Sequence, residues 1–209
     1  MTAPTHPAWN QTHGHVAFDF LSPTPAHIKD ADVAHALAHI NRFTGHLNRA
    51  FSVAQHSLLV VELLAERGHR DAGLLLQGLV HDAAECYVGD VSAPLKRLLP
   101  DYQKVEARVW AACAAHYGVP VELDPAVKAM DWHACRLEAH AHLLGGPIYG
   151  WAGEDETEAL SQRARNILYG YHATFTIERR FLVTLDFLRD AAAMQQTVLM
   201  ERLGARGWL

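Results

Sequence analysis

The sequence predicts an all-α domain. Segments in which apolar residues recur every three or four positions follow one another along most of the chain, which is typical of amphipathic helices. Runs of valine and threonine at the two-residue period of strands are nearly absent. Glycine, proline and helix-capping residues separate the periodic segments. With 209 residues, the chain is long enough for one domain with a sizeable core.

The first elements are predicted from helix-breaking and helix-capping residues and from apolar periodicity. Residues 1–25 contain four prolines and little periodicity, so we expect an irregular lead-in. Residues 26–209 are expected to form a single domain. A first helix is predicted over 30–43. Ser52 is a good N-cap for a second helix, which should stop at Gly68.

The later elements follow the same logic. Asp124 is a suitable N-cap and Pro125 a suitable first helical residue for the helix that contains them. A glycine-rich loop is expected at 145–158, and a C-terminal helical extension should begin at about residue 151. The predicted helical segments are 70–89, 95–99, 101–118, 124–146, 158–170 and 176–203.

Composition narrows the classes of partner. The formal net charge of −5 argues against a nucleic-acid polymer, whose binding requires clustered lysine and arginine, but it permits a small phosphorylated ligand. The N-terminus lacks an apolar signal region and no long apolar run is present, so a cytoplasmic protein is expected, with no membrane partner. The three cysteines are far apart, which disfavours disulfides and a cysteine-type zinc site.

Four ionisable residues are predicted to point inward from helices, on or beside their apolar faces. His56 lies between Val53 and Val60 in one apolar stripe, and Asp131 lies on the apolar face of the 124–146 helix. His81 and Asp82 begin where the apolar part of "GLVHDAAECYVGD" ends. Buried carboxylates must meet a cation or become protonated. Since two neutral imidazoles cannot balance two carboxylates, a divalent ion such as Mn²⁺, Fe²⁺, Co²⁺, Zn²⁺ or Mg²⁺ is the expected cofactor.

The spacing of these residues resembles a known signature. "FSVAQHSLLV" and "HDAAECYVGDVSAPLKR", followed by Asp131, are similar to the H…HD…D pattern of the HD-domain metal-dependent phosphohydrolases. The second segment resembles the small nucleotide-hydrolysing branch, which includes bacterial 5′-deoxynucleotidases and phage dATP triphosphohydrolases. The resemblance covers roughly residues 30–145 and implies a single helical HD domain.

The resemblance implies roles for individual residues. Glu85 would accept a proton from the attacking water, although a solvated helix residue is the alternative. Asp90 would orient the water or the leaving group, unless it caps the next short helix. Lys96 would contact phosphate. The metal ligands implied by the resemblance are His56, His81, Asp82 and Asp131.

Upstream of the first histidine, the resemblance implies contacts with the substrate. Arg42 would bind phosphate or sugar and Phe43 would pack against the base, although phenylalanine stands where relatives usually have tryptophan. His46 would reach the phosphates or lie in a surface loop. The expected activity is metal-dependent hydrolysis of (deoxy)nucleoside 5′-phosphates, and the segment 42–56 favours a dATP-type triphosphohydrolase that releases triphosphate.

Other interpretations remain open from the sequence. A 5′-deoxynucleotidase acting on monophosphates would use the same residues, and a non-catalytic nucleotide-sensing domain would keep the metal without turnover. A homo-oligomer is expected by resemblance. His35 and His39 have the i, i+4 spacing of two zinc ligands, but without an accompanying glutamate base they are interpreted as surface residues. His133, His140 and His142 are predicted to be solvated.

Overall fold

The structure, a computed structural model, describes residues 6–143 and 159–205. It is mostly helical, which confirms the predicted all-α class. The helices are α1 Asp30–His39, α2 Val53–Glu66, α3 Ala72–Val80, α4 Glu85–Val88, α5 Ala93–Lys96, α6 Pro100–Tyr117, α7 Pro125–His142, α8 Gln162–Tyr169 and α9 Thr174–Ala205. The glycine-rich loop predicted at 145–158, and the start of the extension at about 151, lie outside the described residues.

Helix ends follow the capping residues that the sequence contains. The hydroxyl of Ser52 accepts a hydrogen bond from the amide of Gln55, whose side chain returns to the Ser52 amide to complete a capping box. Asp124 caps α7 and Pro125 occupies its first turn, as predicted. Gly118 ends α6 in the left-handed conformation, with φ at 68°.

Helix α2 lies at the centre of the bundle, where it packs against α1, α3, α7, α8 and α9. Its apolar residues, with those of α3 and α7, form the core, and α9 covers α1 and α3. Phe181 and Leu185 of α9 are buried in that contact, whereas Val183 and Phe187 are exposed on the outer face. Within the described residues, no helix is both long and apolar enough to cross a membrane.

The lead-in departs from the irregular structure expected for residues 1–25. Strands β1, Trp9–Gln11, and β2, Ala17–Asp19, pair antiparallel as a hairpin. The hairpin turn is held to α1 because the buried Asp32 carboxylate accepts a hydrogen bond from Thr12 Oγ1 at 2.6 Å. Phe18 is fully buried and stacks on Tyr87 at 3.7 Å between ring centroids. Strands of three residues are too short to leave a periodic signal in the sequence.

Two predicted helices are interrupted, and both interruptions adjoin the candidate site. The first helix ends at His39 rather than at residue 43, and a short 3₁₀ turn, Arg42–Gly45, follows with positive φ angles at Phe43, Thr44 and Gly45. The segment predicted as one helix over 70–89 divides into α3 and α4, because residues 81–84 form a tighter turn.

Helix α2, which carries His56, lies close to α3. An added Cβ at Gly78 would lie 2.6 Å from Leu64 Cδ1 of α2, so a larger residue there would require the Leu64 side chain to move. The approach brings the His81 ring to 5.3 Å from the His56 ring, measured between centroids. A packing requirement in the core therefore also sets the geometry of the polar cluster.

Candidate metal centre

The structure brings together all four residues predicted as metal ligands. His56 comes from α2, His81 and Asp82 from the turn after α3, and Asp131 from α7. His56 Nε2 lies 3.1 Å from Asp131 Oδ1 and 3.7 Å from Asp82 Oδ2. His81 Nε2 lies 3.2 Å from Asp82 Oδ2 and 3.8 Å from Asp131 Oδ1.

These separations suit a single bound cation. Two ligand atoms that are each about 2.1 Å from one ion lie roughly 3.0–3.5 Å apart, depending on the coordination geometry. His56, His81 and Asp82 each offer a ligand atom within 4.8 Å of the other two, and Asp131 Oδ1 lies 3.1 Å from His56 Nε2 and 3.8 Å from His81 Nε2. His81 Nε2 is buried and makes no well-aligned hydrogen bond within the described part of the chain, as expected of a ligand atom.

The outward nitrogen of each imidazole is already engaged. His81 Nδ1 donates to the Gly78 carbonyl at 2.8 Å, and His56 Nδ1 lies 2.6 Å from Glu138 Oε1. A carbonyl oxygen only accepts, so Nδ1 of His81 carries a proton, and in the neutral imidazole the Nε2 lone pair points to the cluster. Such partners fix the ring and raise its basicity as a ligand.

Glu138 is a site residue that the sequence reasoning missed. It is fully buried on α7, and its second oxygen accepts a hydrogen bond from Arg42 Nε at 2.7 Å. Its position seven residues after Asp131 places both carboxylates on one face of α7, two turns apart. This seven-residue spacing is the feature of the sequence that could have identified Glu138. Burial opposes ionisation of Glu138, but Arg42 and His56 outweigh it and lower the pKa of the carboxyl.

The carboxylates of the cluster create an electrostatic field that favours positive charge among them. Burial opposes protonation of His81, but the Asp82 and Asp131 carboxylates outweigh it and raise the pKa of His81 well above its ordinary value. Burial likewise opposes ionisation of Asp82, but His81 lowers the pKa of Asp82 to about 2. The pKa of Asp131 lies well below its usual range, since its interactions with the His56 and His81 imidazoles overcome its desolvation. Protons or a metal ion can supply the charge that this arrangement stabilises.

A cavity of about 390 Å³ opens beside the cluster. Its walls include His81 and Asp82, together with Glu85 and Lys96. Glu85 is buried, and its Oε2 has no hydrogen-bond partner within the described residues. Burial is the main cause of the raised pKa of Glu85, and the Asp82 carboxylate adds to it. The alternative of a solvated helix residue is therefore wrong for Glu85.

Lys96 also lines this cavity. Its ammonium group forms an ion pair with Glu106 of α6, with 2.6 Å between Nζ and Oε1. The ammonium is also 5.9 Å from the centre of the Tyr102 ring, and the Tyr102 hydroxyl donates to the Gly89 carbonyl. Lys96 is thus held facing the cavity by its neighbours on α6.

Asp90 is placed by a glycine turn rather than by a helix cap. Gly89 has φ at 82°, a left-handed conformation that favours glycine, and it turns the chain between α4 and α5. The N-cap of α5 is Ser92, so the alternative of Asp90 as a cap is wrong. Burial raises the pKa of Asp90, and the electrostatic influence of Arg42 opposes that rise. Asp90 therefore lies within electrostatic reach of the site.

Comparisons with known proteins give relatives of this chain but no assigned activity. No family model matches the chain. The uncharacterized protein YfdR of Escherichia coli (strain K12) is 41% identical over 100 residues, which are 48% of this chain and 53% of YfdR. The uncharacterized protein RCAP_rcc00048 of Rhodobacter capsulatus is 38% identical over 141 residues, which are 63% of this chain and 71% of that protein. The chain belongs to the RCAP_rcc00048 family. It spans about half the length of YfdR.

In this member of the RCAP_rcc00048 family, the three upstream residues predicted to contact substrate are placed differently from one another. Arg42 reaches the cluster, with Nη1 at 3.8 Å from Asp82 Oδ2, but its main partner is Glu138. Phe43 is partly buried beside Arg42 and does not line the cavity. His46 is exposed and also lies outside the cavity wall. The surface-loop alternative describes His46 in this structure.

The three histidines predicted to be solvated on α7 do not behave alike. His133 and His142 are buried, so that prediction was wrong for both. His142 Nε2 donates to the Leu168 carbonyl at 2.8 Å and links α7 to α8. A histidine that satisfies a helix-end carbonyl is compatible with the core, which is why hydrophobic periodicity alone misassigned it.

Proposed function

We propose that this protein is a divalent-metal-dependent phosphohydrolase acting on (deoxy)nucleoside 5′-phosphates, with His56, His81, Asp82 and Asp131 as the metal ligands. One observation carries the proposal. Ligand atoms from three separate helical elements converge at the spacing of a coordination shell, beside a cavity that contains a buried carboxyl group and an ammonium group. The resemblance to HD-domain phosphohydrolases supports the same assignment.

The ligand chemistry favours an ion of borderline or hard character. Two imidazoles and two carboxylates suit Mn²⁺, Fe²⁺, Co²⁺, Zn²⁺ or Mg²⁺. When bound, the ion supplies Lewis-acid polarisation of a phosphoryl oxygen and lowers the pKa of a ligated water. Glu138 and the Gly78 carbonyl hold the two imidazoles in the orientation that presents Nε2 to the ion.

Glu85 is the residue best placed to move a proton. It starts α4 one turn after Asp82, and its carboxyl group lines the cavity with one oxygen unpartnered among the described residues. The carboxylate form accepts the proton of the attacking water, and the acid form donates a proton to the departing oxygen. Burial keeps bulk water from competing for this group.

Lys96 and Arg42 supply fixed positive charge near the phosphate. Lys96 faces the cavity, and a phosphate oxygen there would compete with Glu106 for its ammonium group. Arg42 stabilises negative charge through the field of its buried guanidinium, which Glu138 holds in place. The two cations lie on different elements, so substrate charge is compensated from two directions.

The volume of the cavity is consistent with part of a nucleotide. About 390 Å³ lies at the lower end of the range, about 300–1,000 Å³, that small-molecule sites occupy. A dNTP, of the dATP type, is the favoured substrate because the segment 42–56 resembles the phage enzymes. The same site accommodates a monophosphate, so the experiment must distinguish the products.

The test is a product analysis with the metal-free full-length protein. Each dNTP, dNMP and NTP is incubated with Mn²⁺, Co²⁺ or Mg²⁺, and released triphosphate and inorganic phosphate are separated chromatographically. Triphosphate from dATP supports the proposal as stated, whereas inorganic phosphate from dAMP identifies a 5′-deoxynucleotidase. Metal binding with no hydrolysis of any substrate would refute the catalytic role and leave a nucleotide-sensing domain.

A further inference from the structure

A second group of metal-ligating side chains lies between α1 and α9. His35 and His39 project from α1 and Glu178 projects from α9, with one ligand atom from each within 4.8 Å of the others. His35 Nδ1 lies 3.2 Å from Glu178 Oε2, and the two imidazole rings are 4.2 Å apart between centroids. None of these residues belongs to the elements that carry the first cluster.

The imidazoles are already oriented by their neighbours. His39 Nδ1 donates to the His35 carbonyl at 2.7 Å, which leaves the Nε2 lone pair of His39 without a proton and available to an ion. His13, from the hairpin turn, stacks on His35 with 3.8 Å between ring centroids and 15° between planes. A hydrogen bond from a ligand histidine to a carbonyl is the usual support of a metal ligand.

The packing of α9 against the core fixes the position of the third ligand, Glu178. Ile177 and Phe181 flank Glu178 on α9 and are buried against the core, so the backbone at Glu178 is fixed relative to α1. The side chains of His35 and Glu178 remain 29% and 24% exposed, which leaves room for water to complete a coordination shell. Two neutral imidazoles and one carboxylate leave one net positive charge on a divalent ion. Because the cluster is partly exposed, water can solvate that charge.

We propose that His35, His39 and Glu178 form a second divalent-metal site, selective for borderline ions of the Zn²⁺ class, that fastens the C-terminal helix α9 to α1. Two histidines at i and i+4 are neighbours on one helix face, and imidazole with carboxylate suits Zn²⁺, Co²⁺, Ni²⁺ or Cu²⁺ rather than Ca²⁺. An ion that binds only the folded protein stabilises it by mass action. The site is independent of the proposed hydrolytic function.

The test is Zn²⁺ stoichiometry by equilibrium dialysis, with thermal unfolding of the same samples. Wild-type protein should bind one more Zn²⁺ than Glu178→Gln, and Zn²⁺ should raise the Tm of wild type more than that of the variant. His39→Gln, which changes an exposed residue, should give the same loss. Asp186→Asn is the matched control, because it removes an exposed carboxylate from the same helix outside the cluster.

The outcomes separate this site from the first cluster. His81→Ala should lower Zn²⁺ binding at the first cluster while leaving the effect of Glu178→Gln unchanged, so that the two losses add. Circular dichroism of each metal-free variant establishes that α9 is folded. If Glu178→Gln and His39→Gln both retain the wild-type stoichiometry and the wild-type rise in Tm with Zn²⁺, the second site does not exist.

Discussion

Replacing Glu138 with glutamine tests whether a buried carboxylate orients the metal centre. Glu138 is fully buried, and its two oxygens meet His56 Nδ1 at 2.6 Å and Arg42 Nε at 2.7 Å. Glutamine preserves the shape of the side chain but removes its charge. One of the two hydrogen bonds is then lost, because glutamine has a single carbonyl oxygen in place of two carboxylate oxygens. The buried guanidinium of Arg42 also loses its principal counter-ion.

The expected magnitude follows from the burial of the ion pair. Breaking a buried pair costs about 3–5 kcal/mol, and the lower end applies because the glutamine carbonyl still accepts one hydrogen bond. For a chain of this size each kcal/mol lowers Tm by about 2–4 °C, so we expect a fall of about 6–12 °C. Loss of the partner of a ligand histidine should weaken metal binding by about 10- to 100-fold.

The assay combines differential scanning calorimetry of the metal-free protein with isothermal titration of Mn²⁺ or Co²⁺. Glu62→Gln is the matched control, because Glu62 is a carboxylate on α2 that pairs with the exposed Arg163 at 3.9 Å. Its Tm and metal affinity should stay near the wild-type values, since surface substitutions usually cost under about 0.5 kcal/mol. Wild-type metal affinity in Glu138→Gln would refute the orienting role.

A double variant separates stability from ligand orientation. Arg42→Met in the Glu138→Gln background removes the unpaired buried cation, so part of the lost Tm should return. The weakened metal binding should persist, because His56 still lacks its carboxylate partner. Recovery of both quantities together would mean that Glu138 acts only by holding Arg42.

Three further predictions follow from other contacts. Glu85→Gln should lower kcat by about 10²- to 10⁴-fold with unchanged metal stoichiometry, and an unchanged kcat would assign the proton transfer elsewhere. Lys96→Met should lower kcat/KM for nucleotides by roughly 10- to 100-fold, the effect of one charge-assisted hydrogen bond, whereas Lys104→Met, which changes an exposed lysine of α6, should not. Asp30→Asn should destabilise the protein by about 1 kcal/mol at pH 7, half of the full linkage value because the carboxylate is partly exposed. Burial opposes the ionisation of Asp30, but its partners, foremost His116 and then Arg189, lower its pKa to about 2, so chemical denaturation should show this deficit vanishing as the pH falls from about 4 towards 2.

Local signals in the sequence predicted the helix starts and the inward polar residues. Ser52 and Asp124 cap the helices that begin where predicted, because capping depends on residues that are adjacent in the chain. His56 and Asp131 interrupt apolar stripes, and the structure turns both towards one point. A charge on an apolar face is a strong constraint, so together with the resemblance it predicted the cluster without knowledge of the packing.

Features that depend on contacts distant in the chain were not predictable in this way. Glu178 joins His35 across 143 residues, so neither sequence neighbourhood contains the pair. Glu138 is assigned only when α2 and α7 are known to be in contact, since its partners belong to other elements. The hairpin of residues 9–19 depends on its anchorage to Asp32, which lies well outside the strands.

The turn between α3 and α4 shows why the predicted long helix had to break. Successive residues of an α-helix point about 100° apart, so an uninterrupted helix would direct these two neighbours to different sides. Here Ala83 N donates to Val80 O at 2.8 Å and Glu85 N to Asp82 O at 2.9 Å, the i to i+3 pattern of a 3₁₀ turn. His81 Nε2 and Asp82 Oδ2 thereby come within 3.2 Å, and Glu85 begins the next turn beside the cavity. The helix break and the candidate metal centre are therefore one structural feature, which hydrophobic periodicity describes only as continuous helix.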